Sequence, residues 1–315
     1  MNKLFLIKNP DLFQGEKYLK KRKAYFEGWY FKNINPTDGI SFIPGININN
    51  NEKKAFIQII TNESSYFVNY DIKDFTFSFA PFYIKIKNNI FSKEEININI
   101  IDDSQNLNIQ GKIKYLNSKN INTNFLYPNI MGPFSYIPFM ECNHAILSMQ
   151  NEVYGLININ NKKIYFNNDI GYIEKDWGCS FPKSYIWCQG NNFQNSKTSF
   201  MLSIADIPFK LFNFQGIICA LIINNREYKF TTYNNTKLIK YDITHNSLEI
   251  CLKKGYYSLN IHSTYDISQK LSAPQKGKMN KDIFETINAT ITITLKKKNK
   301  IIFCDTSMHC GLEIV

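Results

Sequence analysis

Apolar and polar residues alternate with a period of two along most of this chain. Phe75-Thr76-Phe77-Ser78-Phe79, Ile96-Asn97-Ile98-Asn99-Ile100, Leu107-Asn108-Ile109 and Thr290-Ile291-Thr292-Ile293-Thr294-Leu295 all read this way. Such a segment turns one face to a core and the other to water, as a half-buried strand does. Turn-forming residues punctuate the pattern: Thr37-Asp38-Gly39, Asn49-Asn50-Asn51, Asp102-Asp103-Ser104, Asn160-Asn161 and Asn224-Asn225. Many strands with short turns between them predict an all-β chain of antiparallel meanders, closed into barrels or stacked as sandwiches. One helix is expected, at Glu16 to Lys23. No Pro- or Ser-rich linker divides the sequence. The turn region Lys162 to Asn168 is the expected boundary, giving domains 1–165 and 166–315.

Composition adds limits to this picture. With 315 residues the chain has room for two domains, and 44% hydrophobic with 15% aromatic content can fill a large core or line an apolar cavity. The formal charge is +11. Basic runs stand at Lys20-Lys21-Arg22-Lys23 and Lys296-Lys297-Lys298, and they read as solvated loops and strand ends. No nucleic-acid-binding module accompanies them, so nucleic acid is not an expected partner. The charge does suit a weak, peripheral attraction to an anionic membrane surface. Seven cysteines, an odd number without zinc-ligand spacing, suggest reduced thiols in a cytoplasmic protein. The run Leu4-Phe5-Leu6-Ile7 is too short for a signal peptide, and no stretch approaches the roughly 20 apolar residues of a membrane span.

Three segments break the alternation. They are Tyr25 to Lys32, then Gly171 to Pro182 with its continuation Trp187 to Phe193, and Asp305 to His309. All three Trp residues, Trp29, Trp177 and Trp187, lie in the first two, with carboxylates among them. Phe26-Glu27-Gly28-Trp29 also echoes Ile173-Glu174-Lys175-Asp176-Trp177, a hint of duplication. A carboxylate amid aromatics must be paired or protonated. One reading is ion pairing, Glu27 with Lys32, or Glu174 with Lys175 or an Arg. The other is a carboxylic acid that keeps its proton because apolar walls raise its pKa, beside rings that stabilise a tertiary cation. Such an acid could protonate an alkene. Other templates fail: there is no metal-ligand spacing, no phosphate loop and no nucleophile elbow. Cys142-Asn143-His144 places a thiol and an imidazole on one strand face, yet nothing nearby forms an oxyanion hole. His144 and His309 are the histidines nearest the unusual segments.

Tyr25-Phe26-Glu27-Gly28-Trp29-Tyr30-Phe31-Lys32 resembles the opening motif of the tocopherol cyclase family, and Ser41-Phe42 follows in place. The run Glu174-Lys175-Asp176-Trp177-Gly178, then Phe181-Pro182, Trp187, Gln189, Asn191 and Phe193, is similar to its central signature. Leu271-Ser272-Ala273-Pro274, Gly277 and the tail from Asp305 to Gly311 follow in the same order. Plant members commonly show Asn where Asp176 stands here. The resemblance implies two lipocalin-like β-barrel or sandwich domains with an apolar pocket. It also implies closure of a chromanol ring on a prenylated benzoquinol, without a redox cofactor. The distantly related carotenoid 1,2-hydratases instead add water to a terminal isoprenoid alkene.

On this reading Glu27 or Asp176 is the general acid. Trp29, Trp177 and Trp187 form cation-stabilising walls, and Gln189 and Asn191 hold a substrate hydroxyl. Tyr30 and Phe193 line the pocket, with His144 and His309 nearby. The expected partner is an apolar isoprenoid or prenylquinol. The rival expectations are a non-catalytic lipid or quinone carrier and an alkene hydratase.

Overall fold

A computed structural model describes residues 2–21, 23–138, 140–195, 197–209, 212–266 and 268–315. The chain is all-β, as the alternation predicts, and its helices are short: α1 is Lys3–Lys8 and α2 is Glu16–Leu19. The expected helix at Glu16 to Lys23 therefore stops early. No helix among the described residues is long and apolar enough to cross a membrane. Two compact units divide the chain. The first comprises Met1–Phe181 with Leu271–Asp282, and the second comprises Pro182–Lys270 with Ile283–Val315.

The first unit holds β1 (Tyr25–Ile34), β2 (Gly39–Ile48), β3 (Lys53–Thr61), β4 (Ser65–Asp71), β5 (Phe75–Phe79) and β6 (Phe82–Ile86). Next come β7 (Asn89–Phe91), β8 (Glu95–Asp102), β9 (Leu107–Lys119), β10 (Cys142–Ile159) and β11 (Lys162–Gly178). They form one 11-stranded, nearly closed, barrel-like antiparallel sheet in the order β4-β3-β2-β1-β11-β10-β9-β8-β7-β6-β5. The inward residues of each strand, among them Trp29, Phe31, Phe42, Ile57, Ile98 and Ile113, make one apolar core. Three of the four alternating segments read from sequence are β5, the middle of β8 and the start of β9, and the turn residues lie at or between strand ends.

β11 joins two meanders, pairing with β10 on one side and β1 on the other. The expected boundary at 165/166 falls inside it. Pairing of Ile170 with Ile34 and onward to Gly178 with Phe26 holds the strand in the first unit. Local pattern marks the turn at Asn160-Asn161 but does not say which strand the next one joins. The segment Leu271-Ser272-Ala273-Pro274 is fastened to this unit by Gln58, whose Nε2 donates to the Ser272 carbonyl at 3.0 Å and whose Oε1 accepts from the Ser272 N–H at 2.9 Å. Gly277 follows with φ +73°, and a Cβ there would stand 1.9 Å from the Ile48 carbonyl, so the position requires glycine.

The second unit holds β12 (Tyr185–Gly190), β13 (Thr198–Phe209), β14 (Phe212–Ile223), β15 (Arg226–Lys229) and β16 (Lys237–Ile243). It continues with β17 (Ser247–Lys254), β18 (Tyr257–Thr264), β20 (Lys278–Lys297) from Ile283 onward and β21 (Lys300–Ile314), whereas β19 (Gln269–Gln275) from Leu271 and the start of β20 belong to the first unit. The sheet order is β15-β14-β13-β12-β21-β20-β18-β17-β16, with β19 on β20. Ile186, Cys188, Phe200, Cys219, Leu252, Ile293 and their neighbours form its own core.

The hairpin between β10 and β11 turns on two residues, Asn160 at φ 48° and Asn161 at φ 70°. Both angles lie in the left-handed region that the twist-matched two-residue turn demands. Asn161→Val should cost about 1–2 kcal/mol in urea unfolding, the penalty of a β-branched residue there, whereas Asn161→Gly should be near neutral.

Candidate active site

Residues directly opposite one another in an antiparallel pair share a face, and neighbours along a strand alternate. The register pairs Glu27 with Trp177 and Trp29 with Lys175, and between them Gly28 with Asp176 and Tyr30 with Glu174. On the other side of β11, His144 lies opposite Asp176. Glu27, Trp29, Lys175 and Trp177 therefore face the barrel interior. Tyr30, Tyr172, Glu174, Asp176 and His144 face the other way. Glu27 and Asp176, the two expected acids, are on opposite faces of one sheet. The echoing segments are antiparallel neighbours within one unit.

The inward face is an anchor. Glu27 and Lys175 are both fully buried, with Lys175 Nζ 2.5 Å from Glu27 Oε1. The ammonium also donates to the carbonyls of Pro10 at 2.8 Å and Leu12 at 2.6 Å. It lies 4.6 Å from the Trp29 ring and 5.0 Å from the Trp177 ring. Glu27 accepts from the Gln14 N–H at 2.8 Å and from the Tyr25 hydroxyl at 2.5 Å. Trp29 Nε1 donates to the Asp11 carbonyl at 3.0 Å. Burial raises the Glu27 pKa, opposed by Lys175, and burial lowers that of Lys175, opposed by Glu27. Every hydrogen of the ammonium has an acceptor, so the pair is satisfied. Ion pairing is thus what Glu27 does, but its partner is Lys175 rather than Lys32. The rings of Trp29 and Trp177 already carry a cation, the ammonium of Lys175.

The opposite face carries titratable chemistry. His144 Nδ1 is 2.9 Å from Asp176 Oδ1, and Nε2 is 3.5 Å from Glu174 Oε2. The imidazole is nearly buried, at 11% side-chain exposure, with Glu174 at 6% and Asp176 at 22%. Tyr172 donates its hydroxyl to Glu174 Oε2 at 2.5 Å. Burial works against charge on His144, but Asp176 and Glu174 outweigh it and raise its pKa to about 9. Near neutral pH it is an imidazolium held between two carboxylates. Burial, then Asp176, push the Cys142 thiol well above its ordinary pKa, so it is no nucleophile. One ligand atom from each of His144, Glu174 and Asp176 lies within 4.8 Å of the others, a set that could also hold a divalent cation.

The remaining candidates are dispersed. Tyr30 lies on the His144 face, where its hydroxyl accepts from Ser41 Oγ at 3.1 Å. Trp187 and Gln189 are buried on β12 of the second unit and alternate with Ile186 and Cys188, which point into its core. Asn191 is buried just beyond, and Phe193 is itself a core residue of that unit. His309, also in the second unit, has its Nδ1 2.7 Å from Asn288 Oδ1. Tyr172 was not foreseen, although the spacing Tyr172-x-Glu174-x-Asp176 was its signal, since residues two apart in a strand share a face.

The tocopherol cyclase-like family profile matches residues 119–315, well over half of the chain. The chain belongs to the tocopherol cyclase-like family. The matched span includes β10 and β11, and hence His144, Glu174, Lys175 and Asp176. No curated protein matches this member of the family. Among solved structures, CghA with Sch210972 is 8% identical over 92% of this chain and 88% of that one, with a TM-score of 0.57. A protein described as AttH from Nitrosomonas europaea is 12% identical over 92% of each chain, with a TM-score of 0.51. Kievitone hydratase from Nectria haematococca is 11% identical over 93% of this chain and 88% of that one, with a TM-score of 0.50. At these identities the likeness is one of fold, and it is lipocalin-like.

The two faces can be tested separately in this tocopherol cyclase-like protein. Glu27→Gln alone should lower stability by about 3–5 kcal/mol and expose residues 10–15 to limited proteolysis, because it strands a buried ammonium. The double variant Glu27→Gln with Lys175→Met should recover most of that loss in urea unfolding.

His144 has its pKa raised from 6.5 in the unfolded chain to about 9 in the fold. Its charge then contributes about 3 kcal/mol, fully present below pH 6.5 and lost as pH rises through 9. The stability gap between wild type and His144→Ala should shrink across that window.

Proposed function

We propose that this chain protonates an isoprenoid alkene and closes a ring on a quinol hydroxyl, with His144 as the general acid. One observation carries the reading: a histidine, two carboxylates and a tyrosine share one buried sheet face within the span that matches a cyclase-like family. His144 Nδ1 is committed to Asp176, so Nε2 delivers the proton to the less substituted alkene carbon. The quinol oxygen then bonds to the tertiary carbon, and the hydroxyl proton returns to His144. No atoms are lost and no electrons leave, so the reaction is an isomerisation that needs no redox cofactor. Asp176 fixes the tautomer and orientation of the ring, and Glu174, held by Tyr172, stabilises its charge before transfer.

This assignment moves the acid from Glu27 to the His144–Asp176 pair. Glu27 is occupied by Lys175, and a carbocation beside that ammonium would be repelled. Family membership supports an enzyme of cyclase or hydratase type, and substrate class and mechanism belong to this proposal.

The test is incubation with a series of prenylated benzoquinols in D₂O, with and without a chelator, read by mass spectrometry. The expected product is a chromanol of unchanged composition with one deuterium on carbon, formed equally well with the chelator present. His144→Ala should lose about 10²–10⁴-fold in turnover, the range of a general acid. Turnover should fall as pH rises through about 9, where the imidazolium is lost. A product heavier by one water would replace cyclisation with hydration. Full activity in His144→Ala would remove the acid assigned here, and binding without conversion across the series would make the protein a carrier.

A further inference from the structure

The basic N-terminal segment has no part in the chemistry above, yet it is built in an unusual way. Its first 23 residues hold seven basic and two acidic side chains. Lys3, Lys8, Lys17, Lys20, Lys21 and Lys23 are all exposed. On α1, Leu4 and Phe5 are exposed too, at 39% and 48%. They stand four and three residues before Lys8, so all three share one helix face. Lys8 Nζ lies 5.0 Å from the ring of Phe125. Phe125 and Leu126 are about three-fifths exposed, at 62% and 61%. Lys8 thus links the face of α1 that carries Leu4 and Phe5 to the loop that carries Phe125 and Leu126.

Adjacent bulky apolar side chains on a surface cost free energy in water unless something covers them. An apolar cluster among lysines matches the boundary of a bilayer, where acyl chains lie beneath a negative headgroup layer. We propose that Leu4, Phe5, Phe125 and Leu126, with their lysine rim, are a docking surface for an anionic phospholipid bilayer. The patch is rigidly borne. Gln14 Nε2 donates to the carbonyls of Leu6 and Asn9 at 3.1 and 3.3 Å, and the Gln14 N–H donates to Glu27. The loop carrying Phe125 and Leu126 also reaches the candidate site, because Met131 Sδ accepts from the His144 N–H at 3.1 Å. Docking would set that loop at the surface where apolar molecules partition.

Vesicle co-sedimentation of the full chain tests this without any assay of activity. Wild type should pellet with vesicles of phosphatidylcholine and phosphatidylglycerol, weakly with phosphatidylcholine alone, and less as salt rises. Phe125→Ser with Leu126→Ser should lower the partition coefficient about tenfold or more while leaving the unfolding midpoint in place. Lys3→Glu with Lys8→Glu should abolish the preference for anionic vesicles. Equal pelleting of wild type with both vesicle types, or unchanged binding by the Phe125/Leu126 variant, would overturn the proposal. So would a dimer in sedimentation velocity that this variant converts to monomer, which would make a second copy the occupant.

Discussion

An ammonium with no water around it must find every hydrogen bond inside the protein, and Lys175 sets that condition for the first unit. Its three acceptors are the Glu27 carboxylate and the carbonyls of Pro10 and Leu12. Two of those belong to a segment without regular structure, which Leu12 and Phe13 also pack into the core. The same segment gives Glu27 a backbone N–H from Gln14 and gives Trp29 a carbonyl from Asp11. One buried pair thus joins β1 to β11 and fixes the chain N-terminal to β1. Leaving either partner alone would strand a charge in an apolar core, which is why the group behaves as a unit.

The pleat places this anchor and the candidate site one residue apart. Lys175 points inward, and Glu174 and Asp176 on either side of it point outward. Charge on the inner face is neutralised and immobile. Charge on the outer face is arranged around an imidazole that can lose and regain a proton. The two sets lie on opposite sides of the sheet backbone, although Asp176 still acts through space on Lys175 and favours its charge. Tyr172 extends the outer set by one more step of two, and its hydroxyl helps to hold Glu174 in place.

The family match covers the strand that carries both faces, and leaves β1 outside it. The matched span contains β10 and β11 entire. The solved relatives share the architecture at identities near one in ten, where a fold persists after its side chains have been exchanged.

The sequence by itself determined the fold class. Strand alternation and Asn-rich turns are local, and each is enforced by the two-residue period of the pleat and by the left-handed angles that Asn tolerates. It also marked the segments that carry the Trp residues and their carboxylates, because charge amid aromatics is conspicuous anywhere. Tertiary structure alone decided who meets whom. Nothing local says that β11 lies beside β1, so the pairing of Glu27 with Lys175 across nearly 150 positions was hidden, and the domain boundary with it. Nor does a lone His declare its partners: His144 became the centre of the site only when the register set it opposite Asp176. Strand pairing is a long-range choice made by the whole sheet, and it alone sorted one group of acidic and aromatic residues into an inner anchor and an outer site.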